Sequence, residues 1–336
     1  MLRNRKHLFS VVGVVLMILF LFPLVALAVN YQVASGDTLW TISQKFGVGT
    51  QDIRNANGLS SDLIYPGQVL NIPGTDQNSG GTGSAGEYAA LRQRIQDYLA
   101  KEEGTYGIYV KDLITGHEFG INENTALPAA STVKLPTVLY INKLAAQGNL
   151  DWQQKLTYDP NLDYQGGSGI LQFSVQYGNR FTIRTLTTMA ITTSDNIAYN
   201  MLRRFAGRSN IATYMAAAGG KTVFPGGRNL STARDMGTYV QAALDLNRNY
   251  PQVGRRLLDD MANGIYNEGI PALLPDSVTV AHKEGFVTGS TNDVGVVFGS
   301  RPFIISVLTQ GETNDTEGFA NIAKIAKMVY DYQEQL

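Results

Sequence analysis

Ser131 and Lys134 lie three residues apart in Ser131-Thr132-Val133-Lys134, a spacing that puts a hydroxyl and an amine on one face of a helix, a turn apart. Serine is a weak nucleophile at its own pKa and needs a base beside it. A lysine serves once burial has favoured its neutral form. If a helix begins near Ser131, its N-terminal partial charge also favours an alkoxide-like oxygen. The chemistry implied is acyl transfer through a serine ester. Alone the pair is weak, since S-x-x-K arises by chance about once in a chain of this size and describes an exposed helix start equally well. Its weight comes from Ser194-Asp195-Asn196 and Lys283-Glu284-Gly285, which follow it in order.

The apolar pattern outlines elements that could hold these residues. Tyr88, Leu91, Ile95 and Tyr98 recur at steps of three and four and predict a helix. Phe319, Ile322, Ile325, Val329 and Tyr332 predict another at the end of the chain. Between them, 107–111, 117–121, 279–285, 294–299 and 303–309 read as strands, with a hairpin connection at 112–116. Residues 134–261 read mostly as helix. Terminal helices on an antiparallel sheet, with a helical insertion, make an α+β domain.

Composition bounds the function. A chain of 336 residues is expected to hold two domains, and its net charge of −1 gives no reason to expect nucleic-acid binding. There is no cysteine, so stability must come from the core alone. Three histidines without metal-ligand spacing predict no metal site, and no cofactor is implied. Gly80-Gly81-Thr82-Gly83 follows no strand and is not a phosphate loop.

The first 28 residues read as a targeting segment. Arg3, Arg5 and Lys6 precede an uncharged apolar run from 8 to 28 that ends in the small-x-small triplet Ala26-Leu27-Ala28. Two fates stay open, cleavage as a signal peptide or retention as a membrane anchor, and the membrane is a partner only in the second. Both leave the remainder outside, extracellular or associated with the cell wall. Residues 74–86, including Asn78-Ser79-Gly80-Gly81-Thr82-Gly83-Ser84, have nothing to bury and read as a flexible linker. A module at 29–73 and a domain at 87–336 remain.

The module resembles LysM. The matching text is Tyr31-Gln32-Val33, Ser35-Gly36-Asp37-Thr38-Leu39-Trp40-Thr41-Ile42, Phe46-Gly47-Val48, Ile53, Asn57-Gly58-Leu59, and Ile64-Tyr65-Pro66-Gly67-Gln68-Val69-Leu70-Asn71-Ile72-Pro73. Independently, Leu39, Ile42 and Phe46 form one helix stripe that Asp37 or Thr38 can cap. The resemblance implies a β-α-α-β fold that binds N-acetylglucosamine-containing glycans such as peptidoglycan. The expected groove lies between Gly36, Asp37 and Thr38 and Leu63, Ile64, Tyr65 and Pro66, while Leu39 and Trp40 are expected in the core.

From about residue 104 to 336 the chain resembles the class A β-lactamase and penicillin-binding superfamily. The matching text is Ala129-Ala130-Ser131-Thr132-Val133-Lys134-Leu135-Pro136, Gly166-Gly167-Ser168-Gly169 with Leu171-Gln172, Ile191-Thr192-Thr193-Ser194-Asp195-Asn196-Ile197-Ala198, His282-Lys283-Glu284-Gly285, and Asn292-Asp293-Val294-Gly295-Val296-Val297. The resemblance implies roles. Ser131 attacks an acyl carbonyl, Lys134 takes its proton, Ser194 relays a proton to the leaving nitrogen, and Asn196 orients Lys134 and the substrate. Lys283 helps hold a substrate carboxylate, with Glu284 and Gly285 also at the substrate. The backbone N–H groups of Ser131 and Phe286 form the oxyanion hole. Asp195 is expected to be structural, and Asn196 could equally be a helix cap.

Two departures stand out. Class A enzymes carry a loop glutamate that activates the deacylating water, whereas residues 197–267 contain no glutamate and the loop 219–228 no acid. Glu284 stands where the superfamily has Thr or Ser, and would oppose a substrate carboxylate unless its strand turns it away. Three readings follow: a wall-directed serine peptidase or transpeptidase acting on D-Ala-containing stem peptides, with slow β-lactam deacylation; a true β-lactamase; or a non-enzymatic wall-binding protein with a degenerate hydrolase domain. Peptidoglycan is the expected partner, with β-lactams as substrates or inhibitors.

Overall fold

The structure, a computed structural model, describes residues 28–34, 37, 39–46, 48–59, 64–65, 67–73 and 85–336. The expected targeting segment up to residue 27, linker residues 74–84, and Gly36, Thr38, Leu63 and Pro66 lie outside the described residues. No described helix is long and apolar enough to cross a membrane.

The N-terminal unit runs β1 (Val29–Gln32), α1 (Leu39–Phe46), α2 (Thr50–Asn57) and β2 (Val69–Ile72), with β1 and β2 antiparallel. Leu39, Ile42, Ile53, Leu70 and Ile72 are almost fully buried together, and Phe46 packs beside them, so the predicted stripe is the core side of α1. The side chain of Trp40 lies outside the described residues.

The second unit opens with α3 (Ala85–Leu99), β3 (Thr105–Asp112), β4 (Glu118–Ile121) and β5 (Leu127–Pro128). Then come α4 (Lys134–Ala146), β6 (Lys155–Thr157), α5 (Pro160–Asp163), β7 (Arg180–Thr182), α6 (Ile183–Thr192), α7 (Asn196–Ala206) and α8 (Arg208–Ala217). It continues with β8 (Leu230–Ser231), α9 (Ala233–Asn249), α10 (Pro251–Ala262), β9 (Thr279–Val287), β10 (Ser290–Phe298), β11 (Phe303–Gln310) and α11 (Asp315–Gln333). One antiparallel sheet has the order β4-β3-β11-β10-β9. Every strand run expected from the sequence is present within a few residues.

The sheet alternates its side chains between two cores, as strand geometry requires. Ile108, Val110, Ile305 and Val307 face Leu91 and Ile95 of α3 and Ile322, Ile325 and Val329 of α11. Tyr109, Val294, Val296, Ile304 and Leu308 join Met236 and Val240 of α9 and the helical region around α4, α6 and α7. Helix α3 is tied to the sheet by Asp112, whose buried carboxylate accepts from Tyr88 Oη at 2.7 Å, Arg301 Nε at 2.7 Å and the Ile114 and Thr115 N–H groups. Burial alone would lift its pKa, but these donors bring it below the ordinary value.

Removing one partner of a buried ion pair leaves the other charge uncompensated. Asp112→Ala is therefore expected to lower unfolding free energy by about 3–5 kcal/mol, read by urea denaturation.

Candidate active site

Ser131 is half-buried in a 3-10 turn, Ala130–Val133, that runs directly into α4, so regular α-helix begins at Lys134 rather than at the serine. Several strands hold this turn. The short β5–β8 pairing ends beside it, Ala129 N–H donates to Asn229 O at 3.0 Å, and Asn229 Nδ2 donates to Ala130 O at 2.9 Å. Asn292 Nδ2, from β10, donates to Pro128 O at 2.8 Å. On β9, a Cβ at Gly285 would fall 2.6 Å from Ser131 N and 2.7 Å from Thr132 N, so only glycine lets this strand lie against the serine.

Lys134 is 2% exposed. Its ammonium donates to Asn196 Oδ1 at 2.7 Å, to Ser194 Oγ at 3.2 Å and to the Ser194 carbonyl. Among the described residues it makes no hydrogen bond to the Ser131 hydroxyl, where the sequence pointed it. Desolvation by burial, followed by the nearby Lys283 ammonium, pulls its pKa down to about 7, against Glu284 and Asp195, which raise it. Ser194 Oγ also accepts from Lys283 Nζ at 3.0 Å, so one hydroxyl stands between two lysines.

The second motif is held by its own backbone. Ser194 has φ +51°, a left-handed conformation that strains a residue with a Cβ. Asp195 is fully buried and caps α7 through Ala198 N–H at 2.9 Å, and its other oxygen accepts from Leu171 N–H at 2.8 Å. Asp195 is thus structural, as expected. Asn196 does not cap the helix but points into the site, and its Nδ2 donates to Gly166 O at 2.9 Å. Gly169, at φ +91°, lies so close to Asp195 that a Cβ would meet it at 2.3 Å.

Ser131, Lys134, Ser194 and Asn196 line one cavity of about 1050 Å³. Ala130, Ser194 and Phe224, each at positive φ, all line it, so backbone strain gathers here. The third motif resolves the orientation that the sequence leaves open. Glu284 is not turned away; its carboxylate lines the cavity, and Oε1 lies 2.5 Å from Lys283 Nζ. Lys283 is fully buried and also donates to Glu284 O at 3.0 Å, so its three hydrogens are shared among Ser194 Oγ, Glu284 O and Glu284 Oε1. Phe286, on the same strand, is half exposed at the cavity wall.

Sequence reasoning missed Glu268, which lies one residue beyond the glutamate-free stretch 197–267 and is an exposed residue lining the cavity. It also missed Asn229, whose role is visible only through its bond to Ala130. The loop 219–228 reaches the cavity through Phe224 and Gly227 and brings no acid. His282 is occupied by Asp293, 2.8 Å from its Nδ1. In the N-terminal unit, Asp37 accepts from Tyr31 Oη at 2.6 Å and Ala34 N–H at 2.7 Å, Ile64 packs on the core, and Tyr65 is exposed. Among the described residues no group of three or more His, Cys, Asp or Glu could hold a metal.

Comparison with known proteins follows the same division. The profile described as "Beta-lactamase enzyme family" matches residues 90–333, and that of the LysM domain matches residues 31–73. The curated N-acetylmuramoyl-L-alanine amidase sle1 of Staphylococcus epidermidis is 24% identical over 225 residues, 67% of this chain. The chain spans only 59% of that relative's length. The probable peptidoglycan endopeptidase LytE of Bacillus subtilis is 34% identical over 87 residues, 25% of this chain and 26% of its own. Among solved structures, the acyl-enzyme complex of a PBP-A mutant with penicillin-G superposes with a TM-score of 0.68 at 27% identity, covering 74% of this chain and 97% of that one. A β-lactamase from Sphaerobacter thermophilus shares the fold, with a TM-score of 0.66 at 21% identity over 74% of this chain and 98% of its own.

Asp195→Ala removes a helix cap and leaves the Leu171 N–H without its acceptor. It is expected to lower unfolding free energy by about 2–4 kcal/mol, measured by chemical denaturation, with Asp195→Asn recovering part of the loss.

Proposed function

The chain belongs to the beta-lactamase enzyme family and carries a LysM domain ahead of it, and on that footing we propose that it is an exported, wall-directed serine hydrolase or transferase that forms an ester at Ser131. The observation that carries this reading is Lys134: a buried lysine with a pKa near 7, in the turn after the serine, bonded to Ser194 and Asn196. An amine whose neutral form is populated near neutral pH can serve as a general base.

In the proposed cycle Ser131 Oγ adds to the carbonyl of a D-Ala-containing stem peptide. Its proton passes to Lys134 and, through Ser194, to the leaving nitrogen. The C–N bond breaks as the C–O ester forms. Water or a second amine then takes the acyl group and restores the hydroxyl. The N–H groups of Ser131 and Phe286 receive the carbonyl oxygen, and Asn196 holds Lys134 and the substrate amide. Gly285 lets β9, with Glu284, lie against the serine turn at the substrate's side. Residues 1–28 act as signal or anchor, 29–73 bind wall glycan around Gly36, Asp37, Thr38, Leu63, Ile64, Tyr65 and Pro66, and 74–86 link them to the hydrolase at 87–336. Such a tether raises the concentration of the site at a polymeric substrate.

The acid-free loop 219–228 favours slow deacylation, and the penicillin acyl-enzyme of PBP-A gives the kind of adduct expected. A second reading, a true β-lactamase, is favoured by Glu268 at the cavity wall, a candidate base for the hydrolytic water.

Intact-mass measurement after incubation with penicillin separates the two. A persistent adduct on the native protein, absent from Ser131→Ala, is expected. An adduct that disappears as drug is consumed, and is prolonged in Glu268→Gln, would establish the second reading; no adduct at all would leave a non-catalytic wall binder or a site whose Glu284 rejects the β-lactam carboxylate.

Acylation should also follow the neutral form of Lys134. Its rate is expected to rise with pH, about tenfold per unit below the pKa, and to level off above it. Lys134→Arg, which cannot lose its proton, should acylate slower by on the order of 10²–10⁴-fold, read by stopped mass spectrometry.

A further inference from the structure

Glu284 lines the cavity and Lys283 does not. The lysine lies behind the carboxylate, with its three donors spent on Ser194 Oγ, Glu284 O and Glu284 Oε1. A carboxylate arriving from the cavity therefore finds no free donor on Lys283 and meets a like charge instead. Glu284 already occupies the place of an anion paired to this lysine. Its second oxygen, Oε2, has no hydrogen-bond partner among the described residues, and Glu284 is 7% exposed, so that oxygen is an acceptor directed at whatever fills the cavity. Two further carboxylates, Glu268 and Asp315, line the same cavity, with Arg203, Arg208 and Lys324 as its other cations besides Lys134.

From this geometry we propose that Glu284 sets the charge preference of the site. It selects acyl donors that present an N–H donor, a carboxamide or an ammonium, beside the bond that is cleaved, and it disfavours a free carboxylate there. The inference rests on the serine-ester reading above and narrows its substrate class to stem peptides with an amidated or amine-bearing end. Glu284 is a specificity residue: it touches the leaving part of the donor and takes no proton from Ser131.

The test uses the full chain and two matched donors, an N-acyl-D-Ala-D-Ala peptide with a free C-terminal carboxylate and the same peptide ending in carboxamide. Release of D-alanine or its amide is followed for the native protein, Glu284→Thr, Glu284→Gln and Ser131→Ala, with melting temperatures as folding controls. The native protein is expected to cleave the carboxamide at least about tenfold faster, a difference of ~1.4 kcal/mol in transition-state stabilisation. Glu284→Thr frees Lys283 and should reverse the preference; Glu284→Gln, close in shape, should fall between them. Equal rates for the two donors, or a preference unchanged by both variants, would overturn the assignment to Glu284 while leaving the serine reading intact. Absence of any Ser131-dependent release from either donor, in native protein and folded variants alike, would overturn the serine reading and this inference with it.

Discussion

Two buried ammonium groups share one serine hydroxyl, and the site depends on how the protein tolerates them. Lys134 and Lys283 are almost wholly removed from water, and each donates to Ser194 Oγ. Two like charges so placed repel, and burying an unpaired ion is expensive. The protein relieves the conflict in two different ways. Lys134, which burial and its neighbour disfavour as a cation, gives up its proton near neutral pH. Lys283 keeps a carboxylate, Glu284, in direct contact. The first solution favours a neutral amine and the second pairs the remaining ammonium, so both arrangements answer one electrostatic problem.

Much of the surrounding backbone exists to hold that arrangement. The left-handed turn at Ser194 presents both its carbonyl and its hydroxyl to Lys134. Asp195 maintains the turn by bonding on both sides, to α7 and to the segment leading from the glycine loop. On the opposite wall, Gly285 lets β9 approach the serine backbone. Conformations that would destabilise a helix interior are retained here because the network around them over-determines each one.

The fold was legible wherever a period recurred. The stripes of α3 and α11 follow from spacing alone, as do the five strands of the sheet, because burial on one face imposes a period. The order of the three motifs, read as a resemblance, also located the residues that meet at the cavity. What spacing could not carry was orientation and long-range proximity. Strand alternation places Lys283 and Glu284 on opposite sides of a strand, yet a glutamate is long enough for its carboxylate to reach the neighbouring ammonium from the cavity side. Likewise nothing local to Glu268 says that the chain after α10 returns to the cavity, and nothing in Asn229 foretells a bond to Ala130.

The helices α3 and α11 have a consequence for architecture. Tyr88, in the first turn of one, lies 5.1 Å ring to ring from Tyr332, in the last turn of the other, and its hydroxyl also approaches Gln333. The entry and exit of the hydrolase domain are therefore neighbours, although more than two hundred residues separate them in the chain. A domain whose ends meet can be spliced into a loop of a host protein, or circularly permuted, without pulling its sheet apart. That tolerance is a property of packing at one corner, independent of the chemistry in the cavity.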